Sequence, residues 1–113
     1  MSKKFLRKDE FRFYKNKKFL SKSGEPHPAY IFARYGRKYK FNVITHSRSF
    51  FGESNMDLQK NPYRLSTDRR TSRISVPRWD YDSNFSEERL PKKDWKFSRN
   101  DKIAIIKWNK KYK

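Results

Sequence analysis

The clearest pattern in the chain is an alternation broken by a turn. Ala29-Tyr30-Ile31-Phe32-Ala33-Arg34-Tyr35 is rich in β-formers, Gly36-Arg37 interrupts it, and Lys38-Tyr39-Lys40-Phe41-Asn42-Val43-Ile44-Thr45 resumes with period two. A two-residue connection containing glycine between two such runs predicts a β-hairpin. In the second strand Tyr39, Phe41 and Val43 fall on one face, with Lys38, Lys40, Asn42 and Ile44 on the other. Upstream, Phe11 to Tyr14 reads as a short strand that Lys17-Phe19-Leu20 extends or returns. Gly24-Glu25-Pro26-His27-Pro28 reads as a loop, because its prolines oppose both helix and central strand.

Downstream the signal weakens. Residues 46–73 are polar and irregular, a length without structure that in a small domain is usually functional or mobile. Arg73-Ile74-Ser75-Val76 predicts a strand stopped by Pro77, with Trp79-Asp80-Tyr81-Asp82-Ser83 continuing it irregularly. The end follows helix rules. Ser98 is a natural N-cap and Asp101 supplies the acidic residue three places on. Ile103, Ile105, Ile106, Trp108 and Tyr112 can then pack inward, while Lys107, Lys110, Lys111 and Lys113 crowd the end that favours positive charge. The pattern predicts an α+β fold: one domain with a small antiparallel sheet of three to five strands and a C-terminal helix. Residues 1–24 form a basic N-terminal segment with one possible strand, and residues 25–113 form the α+β domain.

Composition changes this picture in two ways. Aliphatic residues are too few to build a core in 113 residues, but ten Phe, seven Tyr and three Trp can do so. Charge then points to a partner. Thirty Lys and Arg against twelve Asp and Glu leave +18, an excess that selects a polyanion, because neutralised phosphates release condensed counterions. The cations interleave with rings, as in Phe11-Arg12-Phe13-Tyr14-Lys15, Arg34-Tyr35-Gly36-Arg37-Lys38-Tyr39-Lys40-Phe41 and Trp95-Lys96-Phe97. Such a lattice suits unpaired bases. RNA, single-stranded or structured, is therefore the expected partner. Arg34, Tyr35, Arg37, Lys38, Tyr39, Lys40, Arg48, Arg73 and Trp79 are the candidate contacts, with Tyr35, Tyr39 and Trp79 as base platforms. No helix-turn-helix or zinc-finger spacing enters a major groove.

Other classes fall away. With no cysteine there is no disulfide, thiolate metal site or cysteine nucleophile. Asp80 and Asp82 form a close carboxylate pair that would share a strand face, and they have no third ligand nearby. No Gly-x-Ser-x-Gly elbow or Gly-rich phosphate loop is present. We expect neither metal nor small-molecule cofactor. No apolar run spans a bilayer, no amphipathic helix suits a membrane surface, and the start lacks a signal-peptide pattern. A cytoplasmic protein is expected.

The two histidines offer the one specific chemical hypothesis. A strict hairpin register about Gly36-Arg37 pairs His27 with His46. Two imidazoles at one phosphodiester can cleave RNA without metal, one taking the 2′-OH proton and the other protonating the leaving oxygen, in an order the residues do not assign. Lys60, Arg73 or Arg48 would stabilise the phosphorane, and Thr45, Ser47, Thr71 and Ser72 offer hydroxyls. Equally, both histidines can simply contact phosphate or end a strand. The order His27-Pro28, Thr45-His46-Ser47, Leu58-Gln59-Lys60-Asn61-Pro62, Thr71-Ser72-Arg73-Ile74 resembles short phage and mobile-element proteins related to barnase/EndoU/RelE-like ribonucleases. That resemblance covers roughly residues 26–108. It implies a toxin-like, metal-independent endoribonuclease on a curved antiparallel sheet, with His27, His46, Lys60 and Thr71 or Ser72 in the active site. The helix that usually precedes the sheet has no counterpart in residues 1–24. The alternatives are a non-catalytic nucleic-acid-binding or ribosome-associated accessory protein, and an adaptor for an acidic protein such as an antitoxin.

Overall fold

The computed structural model describes the backbone of residues 4–112 and the side chains of residues 9–112, so Lys113 lies outside the described residues. Eight strands and one helix follow one another: β1 Lys4–Tyr14, β2 His27–Tyr35, β3 Lys38–Thr45, β4 Ser49–Phe50, β5 Glu53–Ser54, β6 Met56–Asp57, β7 Arg73–Ile74, β8 Arg78–Tyr81 and α1 Arg99–Lys110. The class is the α+β one the sequence predicts. The main sheet is antiparallel and ordered β1-β2-β3-β7-β6, with β8 also on β3. The Gly36 turn forms as predicted, with Gly36 at a φ of 59° that glycine adopts without strain.

β7 and β8 share the outer edge of β3. β8 lies against Lys38–Phe41 and β7 against Ile44–Thr45. Between them Pro77 has no N–H to give, and the register moves by one residue. After β8 the chain crosses to the far edge of β1. Asp82 N–H donates to Arg37 O at 2.7 Å, Lys15 N–H to Asn84 O at 2.7 Å, Ser86 N–H to Phe13 O at 2.9 Å and Leu90 N–H to Phe11 O at 2.7 Å. One run of chain therefore borders both outer strands and curls the sheet toward closure, covering edges that would otherwise pair with other chains. Asp80 locks the seam. Its carboxylate accepts from Tyr14 Oη, from Asn16 Nδ2 at 2.9 Å and from Asn84 Nδ2 at 2.7 Å. Burial raises the Asp80 pKa, but these bonds and the Tyr81 N–H outweigh it and hold the carboxyl below its ordinary value.

The curl creates two cores, one built mainly of rings and the other of rings and aliphatic side chains together. Tyr14, Ile31, Tyr39, Phe41, Val43, Phe50 and Phe85 fill the inner face. Phe11, Tyr30, Ile44, Leu58, Ile74, Phe97 and Ile105 fill the outer face beneath α1. Ser98 caps α1 as predicted, accepting from Asp101 N–H at 3.2 Å.

Several expectations are corrected. Lys17–Phe19 is a 3-10 turn, because the Asn16 side chain accepts from Lys18 N–H and ends the strand. β2 starts at His27 and includes Pro28. Proline fits there because its partner Phe13 directs its own N–H and C=O outward to Ser86. On the β3 side the ladder ends at Ala29–Val43, so Pro28 owes no donor there either. The Lys40-Asn42-Ile44 face of β3 is buried rather than solvated, since α1 covers part of it. Residues 46–73 contain β4, β5 and β6. The β4–β5 hairpin turns on Phe51 and Gly52, both at positive φ. Ile103 and Ile106, each 47% exposed, and Tyr112, 40% exposed, do not pack inward. The stripe of α1 that faces the sheet is Asp101, Ile105, Trp108 and Asn109, and two of its members are polar.

Candidate nucleic-acid interface

The register of β2, β3 and β8 places predicted contacts in two cross-strand rows. Tyr35 pairs with Lys38 and Lys38 with Tyr81; one step along, Ala33 pairs with Lys40 and Lys40 with Trp79. Residues directly opposite in an antiparallel ladder project to the same side. Tyr35, Lys38, Lys40, Trp79 and Tyr81 therefore share the outer face, on the same side of β3 as Asn42. α1 is anchored farther along, where Trp108 Nε1–H donates to Ser75 O at 2.9 Å and Asn109 meets Asn42. Beyond that anchor the rings stay open: Tyr35 is 42%, Trp79 41% and Tyr81 54% exposed. Cations are set among them. Lys38 Nζ lies 5.1 Å from the Tyr81 ring centroid and Lys40 Nζ 5.4 Å from that of Trp79.

The remaining predicted contacts go elsewhere. Tyr39 points to the inner core and is buried, so it is not a base platform. Arg34 stacks on Tyr39 at 5.5 Å and bonds Gly36 O and Asp82. Arg37 is exposed in the turn beside the platform, and Arg48 is exposed at the β4 end. Arg73 Nε donates to Asp57 at 2.7 Å and its Nη1 to His46 O, so the group braces β7. Tyr81 is a further exposed ring on this face that the sequence analysis did not single out. Its signal is the Trp79-Asp80-Tyr81 alternation, which sends the rings out and the carboxylate in.

The histidines do not pair. A register shift between Ile31 and Ala33 brings Ala29 opposite Val43, and that ladder carried on sets His27 against Thr45, one residue short of His46. Both imidazoles still line one open depression of about 830 Å³, together with Ser47, Arg70 and Ser72. Their surroundings differ. His27 is half-buried with its ring edge-on to Phe50, centroids 5.8 Å apart, and burial pushes its pKa down. His46 Nδ1 lies 3.1 Å from Thr71 O and its Nε2 3.4 Å from Asp68 Oδ2. Hydrogen bonds from Arg70 hold the Asp68 carboxyl well below its usual range. With both ring nitrogens facing acceptors, neither is presented as a base. Ser72 is buried and its carbonyl accepts from Leu58 N–H at 2.8 Å. Lys60 does not join this group; it lines a different cleft. Among the described residues no three His, Cys, Asp or Glu side chains cluster as metal ligands, and no helix is long and apolar enough to cross a membrane. Comparison of the chain with protein-family models, with curated proteins and with solved structures finds no match.

Proposed function

We propose that this protein binds single-stranded RNA on the outer face of β2, β3 and β8, without cleaving it. The observation that carries this reading is the exposed rings of Tyr35, Trp79 and Tyr81, with exposed Lys38 set between Tyr35 and Tyr81. Unpaired bases stack on such rings and exposed cations beside them meet the adjoining phosphates, so affinity combines stacking with counterion release. A duplex keeps its bases stacked on one another and can use only the charge.

A second reading, RNA cleavage, draws on the depression that His27 and His46 both line with Arg70. For that chemistry an incoming strand would have to displace Asp68 or Thr71 O from His46 before the imidazole could take a proton. The test is binding of labelled unstructured RNA and of a duplex of equal length across a salt series in EDTA, with the RNA then checked for cleavage. Tighter binding of the unpaired strand, a steep salt slope and intact RNA are expected. Equal affinity for both forms overturns the platform. Cleavage lost in His27→Ala and His46→Ala would establish the second reading instead, and no affinity at low salt would leave an acidic protein as the partner.

A further inference from the structure

A second basic concavity lies away from the platform. Residues 60–64, the chain from Lys92 to Ser98 and the first turn of α1 enclose a cleft of about 1140 Å³. Six cations line it: Lys60, Arg64, Lys92, Lys96, Arg99 and Lys102. Its one acidic residue, Asp9, is already ion-paired with Lys102. Within the described structure Lys60, Lys92, Lys96 and Arg99 make no side-chain hydrogen bond or ion pair. The five cations besides Lys102 repel one another around one concavity, so the arrangement favours an anion between them.

The cleft is held by backbone rather than by chance placement of surface lysines. Tyr63 and Trp95 form a bridge, Arg64 N–H donates to Asp94 O at 2.7 Å, and Lys96 N–H donates to Pro62 O at 2.9 Å. The buried Asp101 carboxylate takes the N–H groups of Gln59 and Lys60 at 2.8 and 3.1 Å, fixing the Lys60 backbone against α1. Flat apolar surface completes the lining. Phe11, Trp95 and Phe97 contribute to it, and Trp95 stacks on Tyr63 with centroids 4.8 Å apart and planes inclined by 28°. Asn61 and Trp95 border both this cleft and the histidine depression, so the two are neighbours.

We infer that this cleft is a second nucleic-acid contact, holding the phosphodiester backbone of a single RNA strand with one of its bases against the accessible part of Trp95. The inference takes its ligand class from the RNA-binding reading and uses none of the platform residues. Cations along a groove beside an aromatic ring are how sequence-tolerant single-strand binders track a backbone. Each phosphate neutralised in a single strand contributes about 0.7 to the slope of log affinity against log salt. Removing three of these cations therefore lowers that slope by about two.

The experiment follows the three tryptophan indole N–H signals of the intact, nitrogen-15-labelled chain during titration with a uridine oligomer of about eight nucleotides. It is repeated on Trp79→Ala/Tyr81→Ala, and with inorganic phosphate at equal phosphate concentration. Movement of the Trp95 indole and of the Lys96 to Arg99 amides, persisting in the platform variant and weaker with inorganic phosphate, is the expected result. A Lys92→Gln/Lys96→Gln/Arg99→Gln variant, its fold checked by the same spectrum, should lose about two units of salt slope. A still Trp95 with a moving Trp79 overturns the cleft and leaves the platform standing. Equal movement with inorganic phosphate reduces the cleft to a free-phosphate site. No movement at either tryptophan removes both contacts.

Discussion

Asn42 on β3 and Asn109 on α1 exchange both halves of their amides. Asn42 Nδ2 donates to Asn109 Oδ1 at 2.7 Å, and Asn109 Nδ2 returns a bond to Asn42 Oδ1 at 3.0 Å. Asn42 is fully buried and gives its second N–H to Ser75 O at 2.9 Å. A paired amide in an apolar layer adds direction, because the helix meets the sheet with satisfied groups at one axial and rotational setting. Beyond that setting Lys40 is still buried, while Lys38, Tyr35, Trp79 and Tyr81 are exposed. The exposure of the platform thus depends on a buried contact one row away.

Removing either amide strands the other. Asn109→Ala leaves the buried Asn42 Oδ1 without its donor, while the bond to Ser75 O remains, and is expected to destabilise the fold by about 1–3 kcal/mol. Adding Asn42→Ala should then cost less than it does alone, since the stranded group has gone. Urea unfolding of the two single variants and the double variant checks this, and additive losses would show that the pair is not coupled.

The N-terminus of α1 offers a graded pair. Ser98→Ala removes the cap to Asp101 N–H, a loss of about 1 kcal/mol. Asp101→Ala removes the acceptor of two further backbone donors, Gln59 and Lys60, in a buried setting. Its loss should be larger, on the order of 2–3 kcal/mol. Thermal unfolding of both variants gives the order, and a Ser98 effect exceeding the Asp101 effect would contradict it.

Acid should weaken the fold through His27. Burial lowers its pKa in the folded chain below the ordinary imidazole value, so the unfolded chain binds the proton more readily. The stability from the neutral ring is complete above the unfolded value of about 6.5 and is lost as pH falls through the lower folded value. The melting temperature should therefore fall between about pH 7.5 and pH 5. His27→Phe, which keeps a ring against Phe50, should show a smaller fall over that interval. An equal slope in wild type and variant would place the pH dependence elsewhere.

What could be read from the sequence was local. The Gly36 turn, the Tyr39-Phe41-Val43 face and the Ser98 cap each depend on residues within a few positions of one another. The errors came from longer-range terms. The bulge between Ile31 and Ala33 carries no glycine or proline to announce it, yet it breaks the pairing of the two histidines. Closure of the sheet by residues 82–90 rests on backbone bonds between segments far apart in sequence, such as Phe13 and Ser86, and that closure lays Phe85 against Tyr39. Phe51 takes a positive φ that its side chain disfavours, so the β4–β5 turn gave no compositional sign. In α1, Ile103 and Ile106 suggested the inward face, but Asn109 and Asp101 take inward positions because they have partners there. Arg73 carries no sign in its own segment that Asp57, on the neighbouring strand β6, takes its guanidinium.

The platform is tested most directly by truncating rings while leaving the charge of +18 untouched. Trp79→Ala and Tyr81→Ala are compared with wild type for binding an unstructured RNA at several salt concentrations. Stacking is worth about 1–3 kcal/mol per base, so each variant should bind roughly 5- to 150-fold more weakly at any one salt concentration, with an unchanged slope against salt. Wild-type affinity in both variants would contradict the account and leave charge as the sole attraction.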